Sequence, residues 1–479
     1  MPFNSFQFVA FFFIVYCFYL LSSHKWQNRL LLAASCFFYG SWDWRFLFLI
    51  FTSITIDYFC GLKIHGSDDE NVKKRFLILS ILVNLSILGF FKYFNFFISN
   101  FTGLIDYFGL SIQPRTLNIV LPVGISFYTL KTLSYTFDVY TDKIKPARSY
   151  SDYALFVIFF PLLLAGPIMR AGELLPQISS KRKLRLDEIG EGCYFIFWGL
   201  FQKIFIADNL AKVVDPVFNS SAPYDCTKII LALYAFAFQI YCDFAGYSNM
   251  ARGLGKCMGF DIMVNFNFPY FSTNPQEFWA RWHISLSAWF RDYLYIPISF
   301  SKREWGKWGV IFALMITFII CGVWHGAAWT FVLWGAYQGF LLVIYQLFKT
   351  APIKMPILEN AFFKKIWYFS RMFFFFQLIS IGWLFFRVKS FSQALQMLRS
   401  LAGFLSNLQF DLLSRAMLID LVFFTIVLVI VEYFQHARKD LTILLKAPFP
   451  VKLFVFMALF YLLVIFGEFG TKEFIYSQF

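Results

Sequence analysis

Of the five histidines in the chain, His325 has the most unusual surroundings. It sits in Cys321-Gly322-Val323-Trp324-His325-Gly326-Ala327-Ala328-Trp329, in the middle of the longest apolar run, Gly309–Phe348. An ionisable side chain at membrane depth is costly and usually functional. Burial disfavours the charged imidazole, so His325 is expected to be neutral. A neutral imidazole can accept a proton from a hydroxyl, as a general base must. The plain alternative is an imidazole hydrogen-bonded between helices. His283 lies in Phe278-Trp279-Ala280-Arg281-Trp282-His283-Ile284-Ser285-Leu286-Ser287, near Arg291 and Asp292. Charge and serine hydroxyls there could orient this imidazole, or it could be an interfacial anchor. His24, His65 and His436 fall in charged loops or at span ends, where a solvated role is the default.

Other chemistries find little support. There is no H-E-x-x-H and no carboxylate at ligand spacing from either histidine, so no metal site is expected. The P-loop glycine pattern and the G-x-S-x-G elbow are absent, which argues against an ATP-driven pump and an α/β-hydrolase. None of the eight cysteines forms a C-x-x-C pair, and most read as small buried hydrophobes. Asp57, Lys92, Lys131, Asp243 and Arg371 are polar residues within apolar runs. They would serve a proton relay in a transporter, or pair with one another. The terminal stretch, 470–479, carries Tyr476, whose hydroxyl near a general base could accept an acyl group.

The elements that position these residues must be membrane helices. The chain of 479 residues is 59% hydrophobic and 15% charged, against roughly 25% charged in a typical soluble domain. A soluble protein could not hide that much apolar surface. The apolar runs are long and continuous, which excludes a barrel of short alternating strands. The net charge of +14 is read as cytoplasmic loops that set orientation, with no nucleic acid as partner. The first run, about Phe6–Leu21, has no basic residue before it and is expected to be a retained span rather than a signal peptide.

Charge then gives the arrangement. Lys25–Arg29 and the polar loop Lys63–Arg75 are expected in the cytoplasm, which places the N-terminus outside. Basic segments Val139–Asp152 and Arg170–Glu191 flank a short apolar run, Tyr153–Met169, broken by Pro161, Gly166 and Pro167. That run is expected to be a re-entrant hairpin, which requires protein or a water-filled cavity around it. The stretch 249–308 is polar and aromatic, and is read as an interfacial or re-entrant region carrying His283. Within it, Ile284–Ile298 shows the spacing of an amphipathic helix. The stretch 309–348, carrying His325, is long enough for two helices or one broken one.

Several blocks resemble one family. Trp324-His325-Gly326, preceded by Cys321-Gly322 and followed by Trp329 and Trp334-Gly335, resembles the signature of membrane-bound O-acyltransferases (MBOAT). The block from Asn265-Phe266-Asn267-Phe268-Pro269-Tyr270-Phe271-Ser272, through Glu277-Phe278-Trp279 and Arg281-Trp282-His283-Ile284-Ser285-Leu286-Ser287, to Arg291-Asp292-Tyr293-Leu294-Tyr295-Ile296-Pro297 is similar to a bacterial branch. That branch acetylates alginate and peptidoglycan. Phe160-Pro161, Ala165-Gly166-Pro167-Ile168 and Tyr241-Cys242-Asp243-Phe244-Ala245-Gly246-Tyr247-Ser248 match it as well, so the resemblance covers nearly the whole chain. Ser477 stands where the branch has an aromatic after the tyrosine of its terminal F-x-Y-F motif, and Ala280 replaces a commonly basic residue.

The resemblance implies a single membrane domain over 1–479, all-α and polytopic, with roughly 11–13 helices in a ring around a thinned, funnel-like core with re-entrant segments. It implies His325 as the essential catalytic residue, His283 close to the reaction path, and Tyr476 as an acyl carrier. Trp324, Arg281, Trp282, Asp292, Asn265 and Asp243 are expected to bind substrate. No bound cofactor is implied. The donor is acetyl-CoA or another acyl thioester, the acceptor a cell-surface or secreted polysaccharide, and the partner an extracytoplasmic SGNH-type acetyltransferase or esterase. The expected location is the bacterial cytoplasmic (inner) membrane. Two other functions remain open at this point: a transporter of a small solute or proton, and an acyltransferase that uses a long-chain donor on lipid or protein.

Overall fold

The computed structural model describes residues 1–110, 117–349, 360–403, 410–470 and 474–475. Every regular element among them is helical. The chain opens with α1 (Phe6–Leu21), α2 (His24–Gly40) and α3 (Phe46–His65). Next, α4 (Glu70–Leu88) passes through a π-helical turn at Gly89–Tyr93 into α5 (Phe94–Tyr107). After α6 (Ile125–Tyr140) come α7 (Tyr150–Ile158), the single turn α8 (Phe160–Leu163) and α9 (Ala171–Ser179). Then α10 (Leu186–Leu200) runs through a second π turn, Phe201–Ala207, into α11 (Asp208–Phe218) and on to α12 (Cys226–Cys257). Short pieces follow: α13 (Pro275–Trp279), α14 (Ile284–Phe290), a third π turn at Arg291–Tyr295, and α15 (Ile296–Ser301). The chain continues through α16 (Lys307–His325), α17 (Trp329–Phe348), α18 (Ala361–Arg387), α19 (Phe391–Ala402), α20 (Leu412–Arg438) and α21 (Phe449–Phe466).

Eight helical stretches among the described residues are long and apolar enough to cross a membrane: α3, continuous α4–α5, α12, α16, α17, α18, α20 and α21. The protein is a multi-pass membrane protein. Phenylalanines such as Phe48, Phe97, Phe373 and Phe454 stand exposed on the outer faces of these helices, where lipid takes the place of water. The apolar run Gly309–Phe348 resolves into two helices. They break at Gly326–Ala328 and cross where Gly322 meets Gly335; a Cβ on Gly322 would lie 2.2 Å from Phe331 O. Small residues let helix backbones approach this closely. The stretch Ile284–Ile298, expected as one amphipathic helix, is helical throughout and continues from α14 into α15 through a π turn.

The expected re-entrant run is enclosed by protein. Residues Tyr153–Phe160 are completely buried, and helix α7 stops at Ile158, before Pro161. A helix that ends in an apolar interior leaves its last carbonyls without water. Here Lys131 of α6 supplies the donors. Its Nζ reaches Phe156 O at 2.6 Å and Val157 O at 3.2 Å, while Ser35 Oγ accepts the Phe160 N–H. The cation also offsets the negative end of the helix dipole. Leaving such a buried acceptor unpaired costs about 1–3 kcal/mol. Lys131→Met is therefore expected to lower the thermal unfolding temperature in detergent; an unchanged value would mean that other donors hold these carbonyls.

Candidate active site

Helix α16 delivers His325 on its last turn, 5% exposed. The imidazole is walled by rings: Trp324 at 5.0 Å, Trp334 of α17 at 4.9 Å and Phe386 of α18 at 5.3 Å, all nearly perpendicular to it. His325 lines a cavity of about 80 Å³ together with Trp42, Lys92, Phe127, Trp324 and Phe474. The start of the chain at Pro2, the loop after α2 and the start of α6 border the same cavity, so it opens toward one end of the bundle.

Lys92 is the charged neighbour. Its Nζ donates to Trp324 O at 2.7 Å and His325 O at 3.0 Å, and lies 3.2 Å from Ser126 Oγ. Tyr93 OH donates to Val323 O at 2.6 Å. The π turn at Gly89–Tyr93 thus caps the terminal carbonyls of α16 exactly where the imidazole is attached. Sequence reasoning flagged Lys92 as an intramembrane charge but did not connect it with His325. Two residues more than 200 positions apart in sequence give no pairing signal.

A second, larger cavity of about 510 Å³ lies against α16 before His325. Its walls come from Trp279, Ala280 and Arg291 of the 249–308 region, from Thr317 and Cys321 of α16, from Tyr345 of α17 and from Lys349 just beyond it. Cys321 faces this cavity and His325 faces the first, and they are a single helical turn apart on α16, about 6 Å of rise.

His283 is 1% exposed and has a left-handed backbone, φ 41°. Asn265 fixes this turn. Its Oδ1 accepts from Ser285 Oγ (2.9 Å) and Ser285 N (3.2 Å) and lies 3.3 Å from His283 Nδ1, while its carbonyl accepts from Ile284 N. Among the described residues His283 Nε2 has no hydrogen-bond partner. The imidazole sits edge-on to Phe244 at 4.5 Å and stacks toward Phe127, whose ring also meets Trp324. His283 and Asn265 therefore reach His325 through one shared aromatic wall.

The other expected substrate-binding residues are placed elsewhere. Trp282 is buried among Phe266, Phe278 and Trp383. Arg281 pairs with Glu277 at 2.7 Å. Asp292 joins Arg170 (2.6 Å) and Arg291 (2.7 Å), tying the segment before α9 to the third π turn. Burial opposes the Asp292 carboxylate, but hydrogen bonds from both guanidiniums hold its carboxyl below the usual range. Asp243 pairs with Lys203 at 2.6 Å and accepts the Ile475 N–H at 2.7 Å. Tyr476 lies outside the described residues. Asp57 accepts from Ser80 Oγ and Asn84 Nδ2. The intramembrane charges Asp57, Lys131 and Asp243 are thus each engaged by near neighbours. Among the described residues no group of three His, Cys, Asp or Glu is placed to hold a metal ion.

Fold and site define a multi-pass helical membrane protein with two buried imidazoles, one of which lines a cavity. The model of the membrane-bound O-acyltransferase family (MBOAT) matches residues 116–383, and the chain belongs to that family. It is an O-acyltransferase. It is 38% identical over 436 residues to the probable alginate O-acetylase AlgI of Azotobacter vinelandii, covering 88% of this chain and 83% of that protein. It is 35% identical over 399 residues to the peptidoglycan O-acetyltransferase of Helicobacter pylori, covering 78% and 73%. It is 30% identical over 243 residues to the teichoic acid D-alanyltransferase of Bacillus subtilis, covering 48% and 60%.

Lys92→Met tests the cap. Misplacing the imidazole by an ångström is expected to lower kcat about a hundredfold with the donor KM little changed. Wild-type kcat in this variant would mean that His325 is positioned without Lys92.

Proposed function

We propose that this protein moves an acetyl group from a cytoplasmic thioester donor, acetyl-CoA, to the outer face of the bacterial cytoplasmic membrane for O-acetylation of a cell-surface or secreted polysaccharide. The observation that carries this reading is the single turn of α16 between Cys321 in one cavity and His325 in the other. With the N-terminus outside, the cavity bordered by Pro2 and Trp42 faces outward. The larger cavity then faces the cytoplasm, where Arg291 and Lys349 suit an anionic donor.

The chemistry follows from the imidazole. His325 takes the proton of an acceptor hydroxyl as that oxygen attacks the thioester carbonyl. A C–O bond forms, the C–S bond breaks, and the proton passes from the imidazolium to the leaving thiolate. His283, held by Asn265, orients the donor or steadies the developing oxyanion. The first acceptor is Tyr476, with the acetyl group then passed to the glycan by an extracytoplasmic SGNH-type partner. The homology to an alginate and a peptidoglycan O-acetylase supports the acetyl donor and glycan acceptor over a long-chain donor.

His325→Ala is expected to reduce polymer-bound acetate by a factor of about a thousand with the protein still present in membranes. Retained acetylation would remove His325 from the role of base. Tyr476→Phe separates the two routes to the glycan: loss of polymer acetylation supports the tyrosyl carrier, and a normal level excludes it.

A further inference from the structure

The C-terminal segment returns to the interior. Beyond α21 it crosses the second π turn, where Asn209 Nδ2 donates to Phe466 O at 2.7 Å and Glu468 N donates to Ile204 O at 3.1 Å. Lys212 pairs with the Glu468 carboxylate. Phe474 is then buried against the rings of Tyr247 (4.8 Å) and Phe244 (5.4 Å), and it lines the same cavity as His325. The next residue donates its backbone N–H to Asp243 Oδ2 at 2.7 Å.

Asp243 is a fully buried carboxylate. Its Oδ1 takes the Lys203 ammonium at 2.6 Å, and the same ammonium reaches Asp208 at 2.8 Å. One cation and two anions give the cluster a formal negative charge, so each carboxylate oxygen must find a donor. On Oδ2 of Asp243 that donor comes from the C-terminal segment. The seat also depends on the π turn. Such turns shift the side-chain register of a helix and often mark functional positions, and this one carries Lys203.

We propose that Asp243, held by Lys203, latches the C-terminal segment so that Phe474 walls the cavity at His325 and keeps water from the acyl group during transfer. This rests on the reading of His325 as base. A base that activates a hydroxyl can equally activate water. Water then attacks the thioester carbonyl, its oxygen forms the new C–O bond, the C–S bond breaks and the proton passes through His325 to the thiolate. Acetate and free thiol result, and no acceptor is acetylated. Exclusion of water is what prevents such side reactions. Asp243 is accordingly a positioning residue, and its signature is the ratio of free acetate to transferred acetyl.

The test uses membranes of cells that carry the full-length protein and its native polymer, supplied with labelled acetyl-CoA. Free acetate and polymer-bound acetyl are both counted. Asp243→Asn removes the charge that holds the latch. Phe474→Ala leaves the seat and removes the wall. Each variant is expected to raise the ratio of free to transferred acetyl about tenfold, through acetate release that vanishes when His325→Ala is added. An unchanged ratio in Phe474→Ala overturns the proposal, including the case in which Asp243→Asn fails to accumulate. If the parent membranes yield both products equally with and without His325, the reading of the base fails instead, which is a different result.

Discussion

A helix that stops inside a membrane has no water to satisfy its last carbonyls, and everything at this site depends on how that debt is met. Helix α16 must stop where it does to present His325 to a cavity. Lys92 makes the stop stable by donating to the carbonyls of Trp324 and His325. Lys131 does the same for α7. Neither lysine needs a carboxylate, because the negative end of a helix serves as its counter-charge. The buried cations are thus structural ends that happen to be charged. The wall of aromatic rings around His325 can then be wholly apolar.

The three π turns share a pattern. The first carries Lys92 to the end of α16, the second carries Lys203 to Asp243, and the third carries Asp292 to Arg170. Each inserts an extra residue into a helix and swings a charged side chain onto a partner that regular spacing would miss. The protein gains sideways reach for its charges without ending the helix that holds each turn, which for the first is the spanning α4–α5.

Much of this was legible from sequence, because membrane depth leaves a strong signal. Continuous apolar runs marked the helices, and the histidine in the longest run is the one that lines a cavity. Pro161 and the two flanking basic segments marked the buried break after α7. The blocks around His325 and His283 were enough to point to the family. What stayed hidden depends on distance in the chain. Nothing local in the run Phe76–Ile98 shows that Lys92 caps a helix more than 200 residues later. A π turn leaves no periodic trace, so Ile284–Ile298 showed a helix but not the π turn within it. Arg281 and Trp282 sit in the most recognisable block, and nothing local to it shows that Trp282 packs on Trp383 of α18.

The two cavities that meet at α16 also carry an electrical consequence. Where water fills both, the membrane potential falls almost entirely across the single turn between Cys321 and His325. An elementary charge crossing that turn feels about 2.3 kcal/mol per 100 mV. In the proposed reaction the acetyl group itself is neutral, but the acceptor's proton ends on the thiol, so each transfer outward carries one charge inward across that turn. A membrane potential that is negative inside would favour the proposed transfer, because it draws that proton inward.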